Sequence, residues 1–171
     1  MLVALSIGLF WVAKPTPFAF WIGLPLIIVG EVVRVWASGY LTKLSGLVTA
    51  GPFALCRNPL YIGSFLICLG YLIMCHRLDA FIIGLFLFWV LHGAAIVYEE
   101  KLLLKTYGQD FEDYRRAVPR FIPRFRPRKG KGSFSFAQVL VNAEHRGAIA
   151  TMILTTAFGF LAYDLFSAIQ R

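Results

Sequence analysis

Charge is scarce in this chain, and negative charge scarcer still. Charged residues make up 15% of the 171, with nine Asp and Glu against 17 Lys and Arg. Hydrophobic residues supply 58%, aromatics 16%, and the mean hydropathy is +0.70, which excludes a water-soluble domain of ordinary size. Cysteine is limited to Cys56, Cys68 and Cys75, all in or beside apolar runs and without CxxC spacing. They read as packing residues, and no redox or metal role is expected. There is no internal repeat and no low-complexity tract. Residues 2–13 lack a basic leading stretch and a small-residue cleavage site, so they read as a short first span or half of a hairpin closed by "AKPTP", not as a signal peptide.

Long apolar runs are present. A membrane span needs about 20 apolar residues, somewhat fewer where the bilayer thins or flanking groups snorkel. Segments 18–36, 60–75, 80–98 and 148–166 come near that length. The expected fold is all-α and integral to the membrane, with four to five transmembrane helices. Eleven of the 17 Lys and Arg residues fall between Lys101 and Arg146, and Lys43 and Arg57 lie in the other long connection. The positive-inside rule puts both connections on the cytoplasmic side. The basic run "RFIPRFRPRKGKG", Arg120 to Gly132, then rests on anionic headgroups. Nucleic acid is not expected as a partner, because no stacking platform or recognition helix accompanies the charge. Its Pro and Gly content reads as a flexible linker toward the last span, which reads as an appendage to the working unit.

Two short stretches on that shared side carry more information. In "GPFALCRNPLYIGS", Gly51 to Ser64, Asn58-Pro59 has the form of an N-cap followed by proline at the first helical position. Free N–H groups at that helix start, with Arg57 beside them, form an anion site. The plainer reading is that Asn58 caps, Arg57 snorkels to phosphate and Asn58→Asp would be tolerated. In "YEEK", Glu99 and Glu100 stand together near the end of the next apolar helix, against its dipole, so something cationic should compensate them. Arg57, Lys101 and Arg120 are candidates, and a bound cationic ligand is the alternative. The helix continues to a Gly108 C-cap, and "DFEDYRRAVP" follows as a short amphipathic helix with Phe111, Tyr114 and Val118 on one face. Glu31 and Arg34, spaced i, i+3, are expected to pair with each other, and His92 to be a hydrogen-bonded structural residue.

Together, "GPFALCRNPLYIGS", the hairpin and "YEEKLLLKTYGQDFEDYRRAVPRFIP" resemble the isoprenylcysteine carboxyl methyltransferase and phospholipid methyltransferase superfamily over about residues 51–123. The resemblance implies a membrane enzyme that uses S-adenosylmethionine without a Rossmann domain, in a pocket built from the hairpin ends and closed by the interfacial helix. It implies that Gly51, Arg57, Asn58, Pro59, Tyr61 and Gly63 match the cofactor motif, that Glu99 and Glu100 match the paired glutamates, and that Arg120 matches the arginine of "VPR". Asn58 stands where the carboxyl methyltransferase branch has histidine, and is similar to the form in phosphatidylethanolamine methyltransferases. The stretch "GAAIV" before the glutamates lacks the arginine that carboxyl methyltransferases often place there.

Methyl transfer needs a nucleophile held in line with the methyl group and a dry pocket, without a metal. Glu99 or Glu100 suits the amino group and ribose hydroxyls of the cofactor, Arg57 its carboxylate, and the aromatic faces of Tyr61 or Tyr98 its sulfonium. The expected roles are therefore catalytic for Glu99, Glu100 and Arg120, and cofactor-binding for Gly51, Arg57, Asn58, Pro59, Tyr61, Gly63, Tyr98, Glu99 and Glu100. The acceptor is a membrane-embedded, lipid-like molecule, either an isoprenylcysteine carboxylate or an aminophospholipid headgroup. The alternatives are an NADPH-dependent sterol- or steroid-type reductase, whose tail is similar, and a non-catalytic scaffold of the same fold. The expected organisation is an N-terminal hairpin over 1–50, a catalytic core over 51–127, and a basic linker with a last transmembrane helix over 128–171.

Overall fold

A computed structural model describes residues 8–42, 46–124 and 130–169. Among the described residues the regular structure is all helical, with no strand. After a helical stretch at 8–12, the elements are α1 (Pro17–Ser38), a 3₁₀ turn (Gly51–Ala54), α2 (Pro59–Cys75), α3 (Leu78–Tyr107), α4 (Gln109–Ala117), α5 (Phe136–Val141) and α6 (Glu144–Ile169). Residues 2–7 of the expected short span lie outside the described residues.

Local chemistry explains the boundaries. Proline fills the first position of α1, and Thr16 caps it, its Oγ1 accepting from the Ala19 N–H at 3.2 Å. Helix α2 ends at a two-residue turn in which His76 takes a positive φ of 51°, and Asp79 in the first turn of the next helix accepts from the Ala80 N–H at 2.9 Å. Gly108, at φ 51°, ends the 30-residue α3, as its position predicts. Helices α1 and α3, and residues Glu144–Asp164 of α6, are long and apolar enough to cross a membrane. Helix α2, with 17 residues, reaches about 26 Å at 1.5 Å per residue, a little short of a typical hydrocarbon core. Trp21, Ile28, Phe86, Met152 and Phe160 are exposed, so the apolar surface faces outward as lipid requires. The chain is an integral membrane protein.

The chain forms two compact units. One comprises Met1–Glu31, Ser64–Val90 and Arg146–Arg171. Its core gathers Ile27, Tyr71, Leu72, Met74, Phe88 and Phe158. Helices α1 and α2 meet there at two glycines: a Cβ on Gly70 would lie 2.8 Å from the Gly23 carbonyl oxygen and 2.6 Å from Ile27 Cγ1. Small residues at such a crossing let backbones approach, which is how helices pack where lipid removes the hydrophobic drive. The last helix is no appendage. Phe158 and Ala162 are fully buried, and the Tyr71 hydroxyl donates to the Thr151 carbonyl at 2.9 Å and pairs with the Thr155 hydroxyl at 2.9 Å.

The other unit comprises Val32–Gly63 and Leu91–His145. Phe111, Tyr114 and Val118 of the α4 segment are buried against Leu47, Leu103 and Tyr107, on the face the sequence predicts. Two expectations are corrected here. Arg34 pairs with Glu144, at 2.5 Å from Nη2 and 2.6 Å from Nε, instead of with Glu31. The i, i+3 spacing was only a local option, and a carboxylate at the start of α6 is the closer partner. The segment at 130–143 is also ordered by specific bonds. The Thr49 and Ala50 N–H groups donate to the Lys131 carbonyl, Ser135 N–H to the Gly39 carbonyl, and the Asn142 amide to the carbonyls of Ser38 and Leu41, both at 2.9 Å. These bonds satisfy carbonyls that the end of α1 leaves free.

The Gly23–Gly70 contact yields a direct expectation. Gly70→Val overpacks a backbone-to-backbone approach that cannot shift as a side chain does, and should cost about 1–3 kcal/mol. Thermal unfolding in detergent should show a lowered midpoint, whereas an unchanged midpoint would mean the crossing is loose.

Candidate active site

The stretch 51–58 prepares the site. Gly51 adopts φ +59°, and a Cβ there would lie 2.5 Å from the Tyr40 ring, so glycine alone opens the 3₁₀ turn. After the turn the chain runs beside the "VPRFIPR" segment. Arg57 N–H donates to the Pro119 carbonyl and Arg124 N–H to the Leu55 carbonyl, both at 2.9 Å. Helix α4 supports this pairing from below its own C-terminus, because the buried Tyr114 hydroxyl donates to the Phe53 carbonyl at 2.8 Å. Burial pushes the Tyr114 phenol well above its ordinary range, and it stays a neutral donor.

Pro59 opens α2, and the Asn58 carbonyl accepts from the N–H groups of Tyr61 and Ile62 at 3.1 and 3.2 Å, as an N-cap position requires. The Asn58 side chain does something the sequence does not predict. Its amide nitrogen donates to the Arg120 carbonyl at 3.1 Å and to Glu100 Oε1 at 3.4 Å. Asn58 is thus a buried donor to a carboxylate, and its side chain serves that contact.

Glu100 is the centre of the cluster. Arg120 grips it with two bonds, Nε to Oε1 at 3.2 Å and Nη2 to Oε2 at 2.6 Å. Arg57 Nη1 lies 3.4 Å from Oε1, and the side chains of Arg57 and Glu100 are both 9% exposed. Arg120 remains 52% exposed. One buried carboxylate therefore faces two guanidinium groups, and the buried Nε and Nη1 of Arg57 have no hydrogen-bond partner. Burial holds the Arg57 guanidinium below its ordinary range, offset in part by Glu100 and opposed further by Arg120. It stays charged even so. Cys56 next to it is pushed up to about 11 by burial, so it remains a thiol at neutral pH.

The paired glutamates separate sharply in environment. Glu100 is buried among cations, whereas Glu99 is exposed and accepts from the Tyr61 hydroxyl at 2.8 Å. The Tyr61 ring packs edge-on against the buried His92, with centroids 5.7 Å apart. Arg57, Asn58, Glu100 and Arg120 thus form one cluster, with Pro59 setting its helix, while Tyr61 and Glu99 form a second pair. Gly51 acts through the turn, Gly63 is buried within α2, and Tyr98 stands exposed outside both groups. The same unit also holds a cavity of about 430 Å³ lined by residues including Thr49, Tyr107, Asp110, Asp113 and Lys131. It includes none of the clustered residues, and the buried unpaired donors of Arg57 mark the site more sharply than its volume does. Among the described residues no three His, Cys, Asp or Glu side chains gather as a metal-holding group.

An all-helical integral membrane protein with a charged cluster where two apolar helices and a basic tail converge defines the class. The chain belongs to the phospholipid methyltransferase family, whose model matches residues 18–110. The match includes Arg57, Asn58, Tyr61, Glu99 and Glu100 and stops before Arg120. The chain is 34% identical over 113 residues to the nickel-cobalt-cadmium resistance protein NccN of Alcaligenes xylosoxydans xylosoxydans, covering 61% of this chain and 53% of that one. It is 30% identical over 127 residues to the cobalt-zinc-cadmium resistance protein CzcN of Cupriavidus metallidurans, covering 73% and 57%. It is also 32% identical over 77 residues to the protein-S-isoprenylcysteine O-methyltransferase of Schizosaccharomyces pombe, covering 45% and 33%. The chain thus spans about half the length of the first two relatives and a third of the last.

The direction of the Asn58 amide changes what a substitution there should do. Asn58→Asp removes a donor to Glu100 and sets two carboxylates side by side, so it should destabilise by about 1–3 kcal/mol even though aspartate caps helices well. Thermal midpoints of parent and variant check this, and a midpoint difference of zero would return Asn58 to a simple cap.

Proposed function

We propose that the protein is an S-adenosylmethionine-dependent methyltransferase that acts on a membrane-embedded, lipid-like acceptor, with its cofactor site on the cytoplasmic side. The observation that carries this reading is the buried Arg57, whose Nε and Nη1 make no hydrogen bond among the described residues and whose ion-pair partner, Glu100 at 3.4 Å from Nη1, is shared with Arg120. A site with two cations, one carboxylate and a helix start beside it fits an anionic group, and the carboxylate of the methyl donor is one. The family match and the isoprenylcysteine methyltransferase relatives support the same chemistry. The charge distribution, with both polar connections on one side, supports a cytoplasmic location. The working core is residues 51–127, with 1–50 and 128–171 as its membrane frame.

When bound, the cofactor supplies a methyl group activated by a positive sulfur. The protein's share is positioning and exclusion of water. Arg57 donates to the cofactor's carboxylate. Glu100 holds Arg57 and Arg120 in register, and Asn58 fixes Glu100. Glu99, held by the Tyr61 hydroxyl and paired with no cation among the described residues, receives the cofactor's ammonium or ribose hydroxyls. Tyr61 offers an aromatic face to positive charge, and exposed Tyr98 is a second aromatic group for it. Where the acceptor is an amine, its proton passes to a carboxylate or to water.

The two glutamates should part company on substitution. Glu99→Gln should weaken S-adenosylmethionine binding by about 1.5–3 kcal/mol with little change in unfolding temperature. Glu100→Gln strands buried Arg57 and should lower the unfolding temperature first. Calorimetry in detergent with S-adenosylmethionine and with NADPH tests the whole reading: the methyl donor should bind and NADPH should not. Tight NADPH binding with no response to the methyl donor would transfer the protein to the reductase class.

A further inference from the structure

Residues 119–124, which the proposed chemistry uses only through the Arg120–Glu100 contact, carry further features. Ile122 is 80% exposed, between Pro119 and Pro123 and flanked by Arg120 and Arg124. The segment is held at both ends, since the Pro119 carbonyl accepts from Arg57 N–H and Arg124 N–H donates to the Leu55 carbonyl, each at 2.9 Å, while the Arg124 guanidinium donates to the Ala117 carbonyl at 2.5 Å. An isolated exposed isoleucine needs no explanation by itself. One on a pinned, doubly basic turn at a membrane boundary does.

The depth of that turn follows from its contacts. The apolar run of α3 ends at Tyr98, and Glu100 lies about 3 Å further along the helix at 1.5 Å per residue. Arg120 is bonded to Glu100 through Nε and Nη2, so the turn sits at the level where hydrocarbon gives way to headgroups. Its guanidinium is half exposed, with the third nitrogen, Nη1, outside the bidentate contact. Arginine is suited to bind a carboxylate along one edge and a phosphate along another.

We propose that residues 119–124 are an interfacial peg: Ile122 enters the bilayer surface, and the outward edge of Arg120 takes the phosphate of an anionic lipid. An anionic leaflet would then hold the peg down and steady the Arg120–Glu100 contact. Each basic side chain near an anionic surface contributes about 1 kcal/mol, which is roughly fivefold in the inserted population.

The native cysteines are 0–2% exposed, so a thiol introduced by Ile122→Cys is the one an environment-sensitive fluorophore will label. The full chain is placed in nanodiscs of phosphatidylcholine alone or mixed with phosphatidylglycerol. Emission should move to shorter wavelength and become shielded from an aqueous quencher, with the shielded population about fivefold larger in the anionic discs. Arg120→Gln in the labelled protein should abolish the dependence on lipid charge while leaving some insertion through the label's own apolar position. Water-like emission in anionic discs would overturn the peg. Equal emission in both compositions, or a dependence on lipid charge that survives Arg120→Gln, would overturn the assignment of the headgroup to Arg120.

Discussion

A single buried carboxylate, that of Glu100, faces two guanidinium groups, one buried with it and one half exposed. The cost of burying a charge falls only when opposite charge and hydrogen bonds surround it. Glu100 meets that condition with groups from distant parts of the chain: Arg57 and Asn58 before α2, and Arg120 beyond α4. The backbone bonds from Arg57 to Pro119 and from Arg124 to Leu55 tie the segment before α2 to the segment beyond α4. A cluster that assembles only in the folded chain makes the ends of two helices and the basic tail into one site. Its excess positive charge leaves the site short of an anion, and that shortage links the fold to a proposed function.

Membrane structure asks each helix for length and for satisfied ends. The long apolar helices meet the first demand, and their ends are met by particular groups: Thr16 at the start of α1, Asp79 near the start of α3, and Asn142 at the end of α1. Where two helices approach at Gly23 and Gly70, close packing replaces the hydrophobic effect as the cohesive force.

Much of this is legible in the residues. Apolar runs locate the helices because a span must satisfy its backbone internally, and Gly108 marks the end of α3 because a positive φ there suits glycine. The face of α4 follows from periodicity, and the residues of the cluster from their resemblance to a known pattern. Four features were not legible. The Arg34–Glu144 pair spans 110 positions, and no local spacing points to it. The order at 130–143 comes from backbone carbonyls, which every residue carries alike. The Asn58 side chain obeys a distant carboxylate over the local cap, and two adjacent glutamates that look equivalent in "YEEK" differ because one side of α3 is covered and the other is not. In each case tertiary contact overrides a local preference.

The claim that Glu100 organises the site is tested most directly by a double-mutant cycle joining Arg57→Gln and Glu100→Gln, read as the free energy of unfolding in detergent. Glu100→Gln leaves Arg57 buried without its carboxylate, Arg57→Gln leaves Glu100 to Arg120 alone, and the double variant removes both buried charges. The account predicts that the double variant is more stable than the sum of the two losses allows, with a coupling of about 1–3 kcal/mol. Additive losses would mean that Arg57 and Glu100 act independently, and would contradict it.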